Sequence, residues 1–266
     1  MLSLIPISDA NPTRRFPIVT VLLIGLNIVA FFMTPGLGRT KESNRYFFEQ
    51  APIACQLQDE CPPGLTFVDE RGVPESVSIP RRDPGSFLLS VIFSTFLHAG
   101  WLHIAGNLLF LWVFGNNVED FLGRIKYLAF YLLGGIAASL AHVMWTLTTS
   151  GSTCTEADLS ACVPSVGASG AVAAVMGAYL LLYPKARVNV LVPIFIIFTI
   201  IQMSALAVLL IWFAYQFIIA WQASAGVTQV AWMAHVGGFV FGLVAVFLLG
   251  GRPHPPHLVW HQQARY

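Results

Sequence analysis

Charged residues are scarce in this sequence. Only 10% of the 266 residues are Asp, Glu, Lys or Arg, 56% are hydrophobic, and the mean hydropathy is +0.70. Soluble domains carry about 25% charged residues, so the composition argues against a soluble protein. Apolar runs that each approach about 20 residues indicate an integral membrane protein instead. The formal net charge of +1 offers no basic surface that would suggest nucleic acid as a partner.

Motifs of several other enzyme classes are missing. HExxH does not occur, which disfavours a metalloprotease. We find no inverted repeat, which disfavours a transporter or channel whose polar groups line a path. The stretch Gly167-Ala168-Ser169-Gly170 is not the nucleophile elbow of the α/β-hydrolases, because Ala171 stands where that motif requires glycine.

Cysteine is also rare, and its four occurrences lie in two polar loops, at Cys55, Cys61, Cys154 and Cys162. The spacing favours local disulfides, Cys55 with Cys61 and Cys154 with Cys162, although sequence alone leaves three pairings and unpaired thiols open. A zinc site is less favoured, because no second pair has CxxC spacing.

The apolar runs predict an all-α fold, a polytopic membrane bundle of six transmembrane helices. The predicted spans are 18–34, 101–118, 127–148, 166–183, 204–222 and 230–250. Three domains follow: a polar tail over 1–17, a membrane domain over 18–250 with an outward loop at about 35–100, and a Pro- and His-rich tail over 251–266. Two further apolar stretches, 87–99 and 188–203, are predicted to be buried or to lie at the membrane surface. A signal peptide over the first run is disfavoured, because no small-x-small cleavage site follows it.

Lys and Arg near the span ends predict the orientation. Eight of the 14 Lys and Arg residues would lie on one side of the membrane: Arg14, Arg15, Arg124, Lys126, Lys185, Arg187, Arg252 and Arg265. The other six lie in the long first loop, where such charges count less. We therefore expect a multi-pass protein of the cell (inner) membrane with both termini in the cytoplasm. All four cysteines then lie on the outer, oxidising side.

Three polar clusters interrupt the apolar spans, where ionisable residues are functional candidates by default. His98 precedes the second span, and His103 and Asn107 share one face of it because they are four residues apart. Ser169 lies at the N-terminal end of the fourth span, and His235 lies near the start of the sixth. A serine with a histidine as its base performs acyl transfer. Asn107, His103 and the free N–H groups of the serine helix would stabilise an oxyanion.

Small residues favour a close approach of the serine and histidine helices. Gly170, Ala173, Ala174 and Gly177 follow the serine at helical spacing, and Gly238 and Gly242 follow the histidine. Small residues let membrane helices pack tightly. Each of these patterns alone is more often a packing motif than a catalytic one, but their joint occurrence on three spans is much more specific.

These residues resemble the rhomboid family of intramembrane serine proteases, in its bacterial six-span form, over about 18–249. The resemblance implies that Ser169, in the family's GxSG motif, is the nucleophile and His235 the base of a Ser-His dyad. The family's HxxxN pattern falls on His103 and Asn107, which would line the oxyanion hole. His98 and Gly167 would have supporting roles, and no metal or organic cofactor is implied.

The resemblance also assigns Glu119, within a match to GxxxExxxG at Gly115 and Gly123, to a structural contact. Two features depart from the family. Ala173 stands where some members have a tyrosine that stacks on the base, and the family's Trp-Arg pair is not found in the first loop.

The substrates implied by the resemblance are transmembrane segments of other proteins, cut near their outer ends after lateral access between the second and fifth spans. Trp212, Phe213, Tyr215 and Gln216 are either gate residues or lipid-facing residues of the fifth span. The lipid bilayer is a further partner, and the oligomeric state is open. The alternative function is a catalytically inactive relative that binds membrane clients. A histidine cluster at His254, His257 and His261 indicates a disordered tail, with weak metal binding as the other reading.

Overall fold

The computed structural model describes residues 5–58, 61–68, 74–151, 154, 159–194, 197–224 and 231–253. These residues are mostly helical. Their eight α-helices are α1 (Ile18–Met33), α2 (Lys41–Gln50), α3 (Pro84–Ser94), α4 (Trp101–Leu122), α5 (Arg124–Thr149), α6 (Ser169–Leu182), α7 (Ala205–Ser224) and α8 (Trp232–Leu248).

A helix is present at each of the six positions predicted as spans, namely α1 and α4 to α8. By length and composition, α5 alone among the described helices is both long and apolar enough to cross a membrane. Shorter apolar helices are α1, α3, α6, α8 and the part Ala205–Ile218 of α7. The six-span arrangement therefore stays a prediction.

The all-α fold class needs correction, because the described residues also contain two small antiparallel sheets. One sheet has the order β1 (Ile5–Asp9), β4 (Arg187–Ile194), β5 (Ile197–Ser204), and the other pairs β2 (Gly64–Val68) with β3 (Pro74–Ser78). The stretch predicted as one apolar segment over 188–203 is thus a hairpin, and part of the predicted tail over 1–17 is its edge strand. The physical reason is alternation: the β-branched Val188, Val190 and Val192 all face the core.

The centre of the helical core is α6, whose residues are buried except for Ser169, Leu180 and Leu181. Glycine and alanine make this possible, because α4, α5 and α8 all pack closely around α6. A Cβ on Gly238 of α8 would overlap the carbonyl oxygen of Gly170, and one on Gly242 would overlap that of Ala174. The small-residue stripes therefore set the distance between the helices that carry Ser169 and His235.

Two disulfides, Cys55–Cys61 and Cys154–Cys162, pack together where the two polar loops meet. The sulfur atoms of Cys55 and Cys162 are 3.5 Å apart, and the buried side chains around them include Phe48, Ile53, Val77, Ile79 and Ala161. The pairing matches the local one favoured from the spacing. Within the second loop, a hydrogen bond from Ser165 N to Pro52 O ties the chain back to the first loop.

At the other end of the bundle, Glu119 of α4 caps α1. Its carboxylate, 4% exposed, accepts hydrogen bonds from Val19 N at 3.0 Å, Thr20 N at 2.8 Å and Thr20 Oγ1 at 2.8 Å. The first N–H groups of a helix have no intrahelical acceptor, and a carboxylate there also favours the helix dipole. Glu119 thus makes a structural contact and lies apart from the polar cluster around Ser169.

The strand β1 is attached to the helices by Asp9. Its carboxylate accepts from the Tyr179 hydroxyl of α6 at 2.5 Å and from Asn117 Nδ2 of α4 at 2.8 Å. Burial raises the pKa of Asp9 to about 6. Of the predicted tail over 251–266, the structure describes only residues 251–253, so His254, His257, His261 and Arg265 lie outside the described residues.

Candidate active site

Ser169 is the first residue of α6, and the backbone just before it depends on Gly167. Gly167 has φ +127°, a conformation that disfavours residues with a Cβ. A Cβ at this position would also lie 2.7 Å from His103 Nε2. Glycine at position 167 therefore lets α6 start beside the histidine of α4.

Ser169 and His235 are in direct contact. The distance between Ser169 Oγ and His235 Nε2 is 2.8 Å, which is a hydrogen bond between side chains of α6 and α8. With the proton on the serine hydroxyl, Oγ donates to an unprotonated Nε2. This is the arrangement in which an imidazole can remove the proton of an attacking serine.

The other nitrogen of His235 is bound by Gln216 of α7. The distance between His235 Nδ1 and Gln216 Oε1 is 2.7 Å, and the Gln216 side chain is 1% exposed. The indole of Trp212, one turn earlier on α7, lies with its ring centre 5.8 Å from that of the imidazole. Two side chains of α7 therefore surround the histidine, while Ala173 takes the position of the family's stacking tyrosine.

A cavity of about 500 Å³ opens at this dyad. Among the residues that line it are Ser169, His235, His103 and Asn107. Asn107 is 7% exposed, and within the described part of the chain no group bonds to its buried Nδ2. An unpaired buried donor is unfavourable unless a ligand supplies an acceptor. Asn107 is therefore suited to bind a negatively charged oxygen in this cavity.

His98 lies behind His103 and does not line the cavity. It is fully buried, its Nδ1 is 3.2 Å from Phe96 O, and its ring centre is 5.1 Å from that of His103. Burial, with His103 as a lesser cause, lowers the pKa of His98 to about 3, so the ring is neutral. The structure therefore brings Ser169, His235, His103 and Asn107 to one cavity and leaves His98 as a packing neighbour.

Sequence reasoning missed His142 of α5, which also lines the cavity. Its Nδ1 is buried and bonds to none of the described residues. The rule that flags ionisable residues in apolar spans would have found it. Gln216 was considered only as a gate or lipid-facing residue, because its contact with His235 depends on how α7 is rotated.

The sulfur atoms of Cys55, Cys154 and Cys162 lie within 4.8 Å of one another, a spacing that a metal site would require. Metal ligation needs thiolates, and all three sulfurs belong to disulfides here. The three sulfurs thus belong to covalent cross-links, and the Cys154–Cys162 disulfide lies next to the segment 163–166 that lines the cavity.

The part of the sequence that carries this cavity matches a known family. Residues 86–252 match the family described as Rhomboid domain, and this region contains α4 to α8 with all the cavity residues named above.

Individual relatives are more distant. The chain is 28% identical over 167 residues to Rhomboid protein 1, mitochondrial, of Saccharomyces cerevisiae. The aligned region covers 62% of this chain and 42% of that protein. The chain is 27% identical over 177 residues to human Presenilin-associated rhomboid-like protein, mitochondrial, covering 65% and 42%. It is 31% identical over 182 residues to Rhomboid-like protein 11, chloroplastic, of Arabidopsis thaliana, covering 61% and 52%. The chain thus matches about half or less of the length of these relatives.

Proposed function

Because the chain belongs to the rhomboid family, whose domains are embedded in membranes, we propose that it is a serine endopeptidase that cleaves transmembrane segments of other membrane proteins. The observation that carries the proposal is the 2.8 Å contact between Ser169 Oγ and His235 Nε2, on the wall of a cavity. A histidine inside an apolar membrane protein is a functional candidate by default, and here its Nε2 is bonded to a serine hydroxyl.

In the proposed mechanism, Ser169 attacks the carbonyl carbon of the scissile peptide bond. Its hydroxyl proton passes to His235 Nε2, and the carbonyl becomes an oxyanion. His235 then gives this proton to the leaving amine, and an acyl-enzyme remains on Ser169. Water, deprotonated by His235, releases the second product and restores the serine. The dyad completes this cycle without an acidic third member.

The oxyanion would be held by three kinds of donor. Asn107 Nδ2 is buried and free to donate, the His103 side chain lines the same cavity, and the first N–H groups of α6 lack intrahelical acceptors. Donors that are already oriented stabilise the transition state without reorganisation. His98 would support His103, and Gly167 would keep the space between His103 and Ser169 open.

We further propose six membrane spans, with the basic end of the bundle on the cytoplasmic side and the disulfides on the oxidising side. The site would then open toward the outer face, and a substrate would arrive laterally between α4 and α7. Phe110 and Trp212, whose ring centres are 6.4 Å apart, lie at that seam. The cell membrane itself stays a prediction, because the names of the relatives place those proteins in mitochondria or chloroplasts.

A helix buries its own peptide bonds, so a substrate must unwind before Ser169 can attack. Residues such as glycine and proline reduce the stability of a helix by about 1 and 3 kcal/mol. We therefore expect preferred substrates to carry such residues near the outer end of their transmembrane segment.

The test is cleavage in proteoliposomes. Purified protein is reconstituted with a test transmembrane segment that carries Gly and Pro near one end, and products are identified by mass spectrometry. The proposal expects cleavage near that end by the wild type and none by Ser169→Ala. If the folded wild type binds the segment without cutting it, the alternative, a catalytically inactive binder of membrane clients, replaces this proposal.

A further inference from the structure

Gln216 bonds to the imidazole of His235, and the proposed mechanism gives it no role. Its amide is oriented by two contacts: Nε2 donates to Trp212 O at 3.2 Å, and Oε1 faces His235 Nδ1 at 2.7 Å. Because the amide nitrogen is engaged by a carbonyl, the oxygen is the atom that faces the imidazole. An amide oxygen can only accept, so Nδ1 must carry the proton.

We propose that Gln216 is the positioning residue of the base, and that it holds His235 in the tautomer that leaves Nε2 free for Ser169. This inference rests on the proposed function and extends it. When Nε2 receives the serine proton, the imidazolium keeps its Nδ1–H bond to Oε1. Gln216 neither gains nor loses a proton, and its carbonyl dipole stabilises the positive charge on the ring.

The position of Gln216 on α7 gives this contact a second consequence. Two of the side chains that contact His235, Gln216 by a hydrogen bond and Trp212 by a ring contact, come from α7. The other side of α7 is exposed, as at Leu206, Leu210 and Phe217. The hydrogen bond between Gln216 and His235 therefore exists only while α7 is seated against α8. The same helix, α7, forms one side of the proposed substrate path. Access of a substrate must leave the contact between Gln216 and His235 intact.

A purely structural role is the competing explanation, since a buried glutamine also joins α7 to α8. Two substitutions separate the explanations. Gln216→Leu removes the acceptor with little change in volume, whereas Gln216→Glu keeps an acceptor oxygen at the same place. Leu210→Ala, which shortens an exposed side chain of the same helix, is the control for general changes in α7.

Positioning predicts that Gln216→Leu lowers kcat about 10²-fold with little change in KM, since a misplaced catalytic group has an effect of that size. Gln216→Glu should keep most of kcat. The acid limb of its pH–rate profile should move to higher pH, because a carboxylate stabilises the protonated imidazole. Leu210→Ala should match the wild type in both parameters.

A second readout does not depend on activity. Nitrogen NMR of protein labelled with ¹⁵N-histidine reports which ring nitrogen carries the proton, and His235→Ala assigns the signal. The proposal expects the Nδ1–H form in the wild type and a mixture of tautomers in Gln216→Leu. The wild type could prove inactive while the tautomer still differs between the wild type and Gln216→Leu as expected. In that case the proposed function fails and the positioning role of Gln216 stands. If Gln216→Leu changes neither kcat nor the tautomer, or if both substitutions lower kcat and thermal stability equally, the positioning role is wrong.

Discussion

Removing the Glu119 carboxylate should destabilise the fold without touching the dyad. The residue accepts three hydrogen bonds from the first turn of α1, and it is 4% exposed. Glu119→Ala leaves Val19 N, Thr20 N and Thr20 Oγ1 without that acceptor. Each buried unpaired donor costs about 1–3 kcal/mol. Since Val19 is only partly buried, we expect a total loss of about 3–5 kcal/mol.

The assay is thermal unfolding of the purified protein in detergent micelles, followed by circular dichroism. A loss of that size should lower Tm by roughly 10 °C for a chain of this length. The Tm of Glu119→Gln should lie between those of the wild type and Glu119→Ala. The amide keeps one acceptor oxygen, but its NH₂ group then faces a backbone N–H donor of α1.

Asp120 provides a matched control on the same helix. Among the described residues, its carboxylate accepts one hydrogen bond, from Arg14 N at 3.1 Å, and that contact is exposed. Asp120→Ala should therefore change the stability by about 1 kcal/mol or less. If Glu119→Ala lowers Tm no more than Asp120→Ala does, the assignment of Glu119 as the cap of α1 is wrong.

Three further predictions concern the site, the basic end and the loops. Asn107→Ala should lower kcat by about 10²–10³-fold with folding preserved, as measured by steady-state cleavage, and an effect on KM alone would contradict the oxyanion role. The pKa of Asp9 lies near 6 when folded, above the ordinary value of 3.8, so the wild type should lose stability as pH rises from about 4 to about 7. The loss should be about 1–2 kcal/mol, since two pKa units correspond to about 3 kcal/mol and the side chain is partly exposed. Thermal unfolding measured at several pH values should show this dependence of stability on pH for the wild type and not for Asp9→Asn. If Asp9→Asn shows the same dependence, another group causes it. Replacing Cys154 and Cys162 together by serine should lower the free energy of unfolding by about 2–3 kcal/mol, and an unchanged Tm would show that this disulfide does not support the loop.

Much of the helical layout could be predicted from the sequence, because long apolar runs specify helices locally. The polar residues inside those runs were conspicuous for the same reason, and the structure begins α6 at Ser169 as expected. The strand β1 could not be predicted in this way. Its partner β4 lies about 180 residues away, and pairing over that distance depends on the folded helices between them.

The contacts of single polar residues were harder to predict than their presence. Gln216 reaches His235 only because α7 is rotated to point it inward, and a helix that is apolar on all sides gives no periodicity from which to read that rotation. Glu119 was expected to be structural, but its partner, the first turn of α1, is about 100 residues earlier in the chain. His142 belongs to no motif, but its place in an apolar run is enough to mark it as a candidate.

The most direct test of the central claim is labelling of the detergent-solubilised protein with a serine-reactive fluorophosphonate. The claim is that Ser169 is a nucleophile activated by His235, so the wild type should be labelled, and Ser169→Ala and His235→Ala should both lose the label. Circular dichroism of each variant confirms that it is folded. If folded wild type is not labelled, or if Ser169→Ala is labelled equally, Ser169 is not an activated nucleophile and the protease assignment is contradicted.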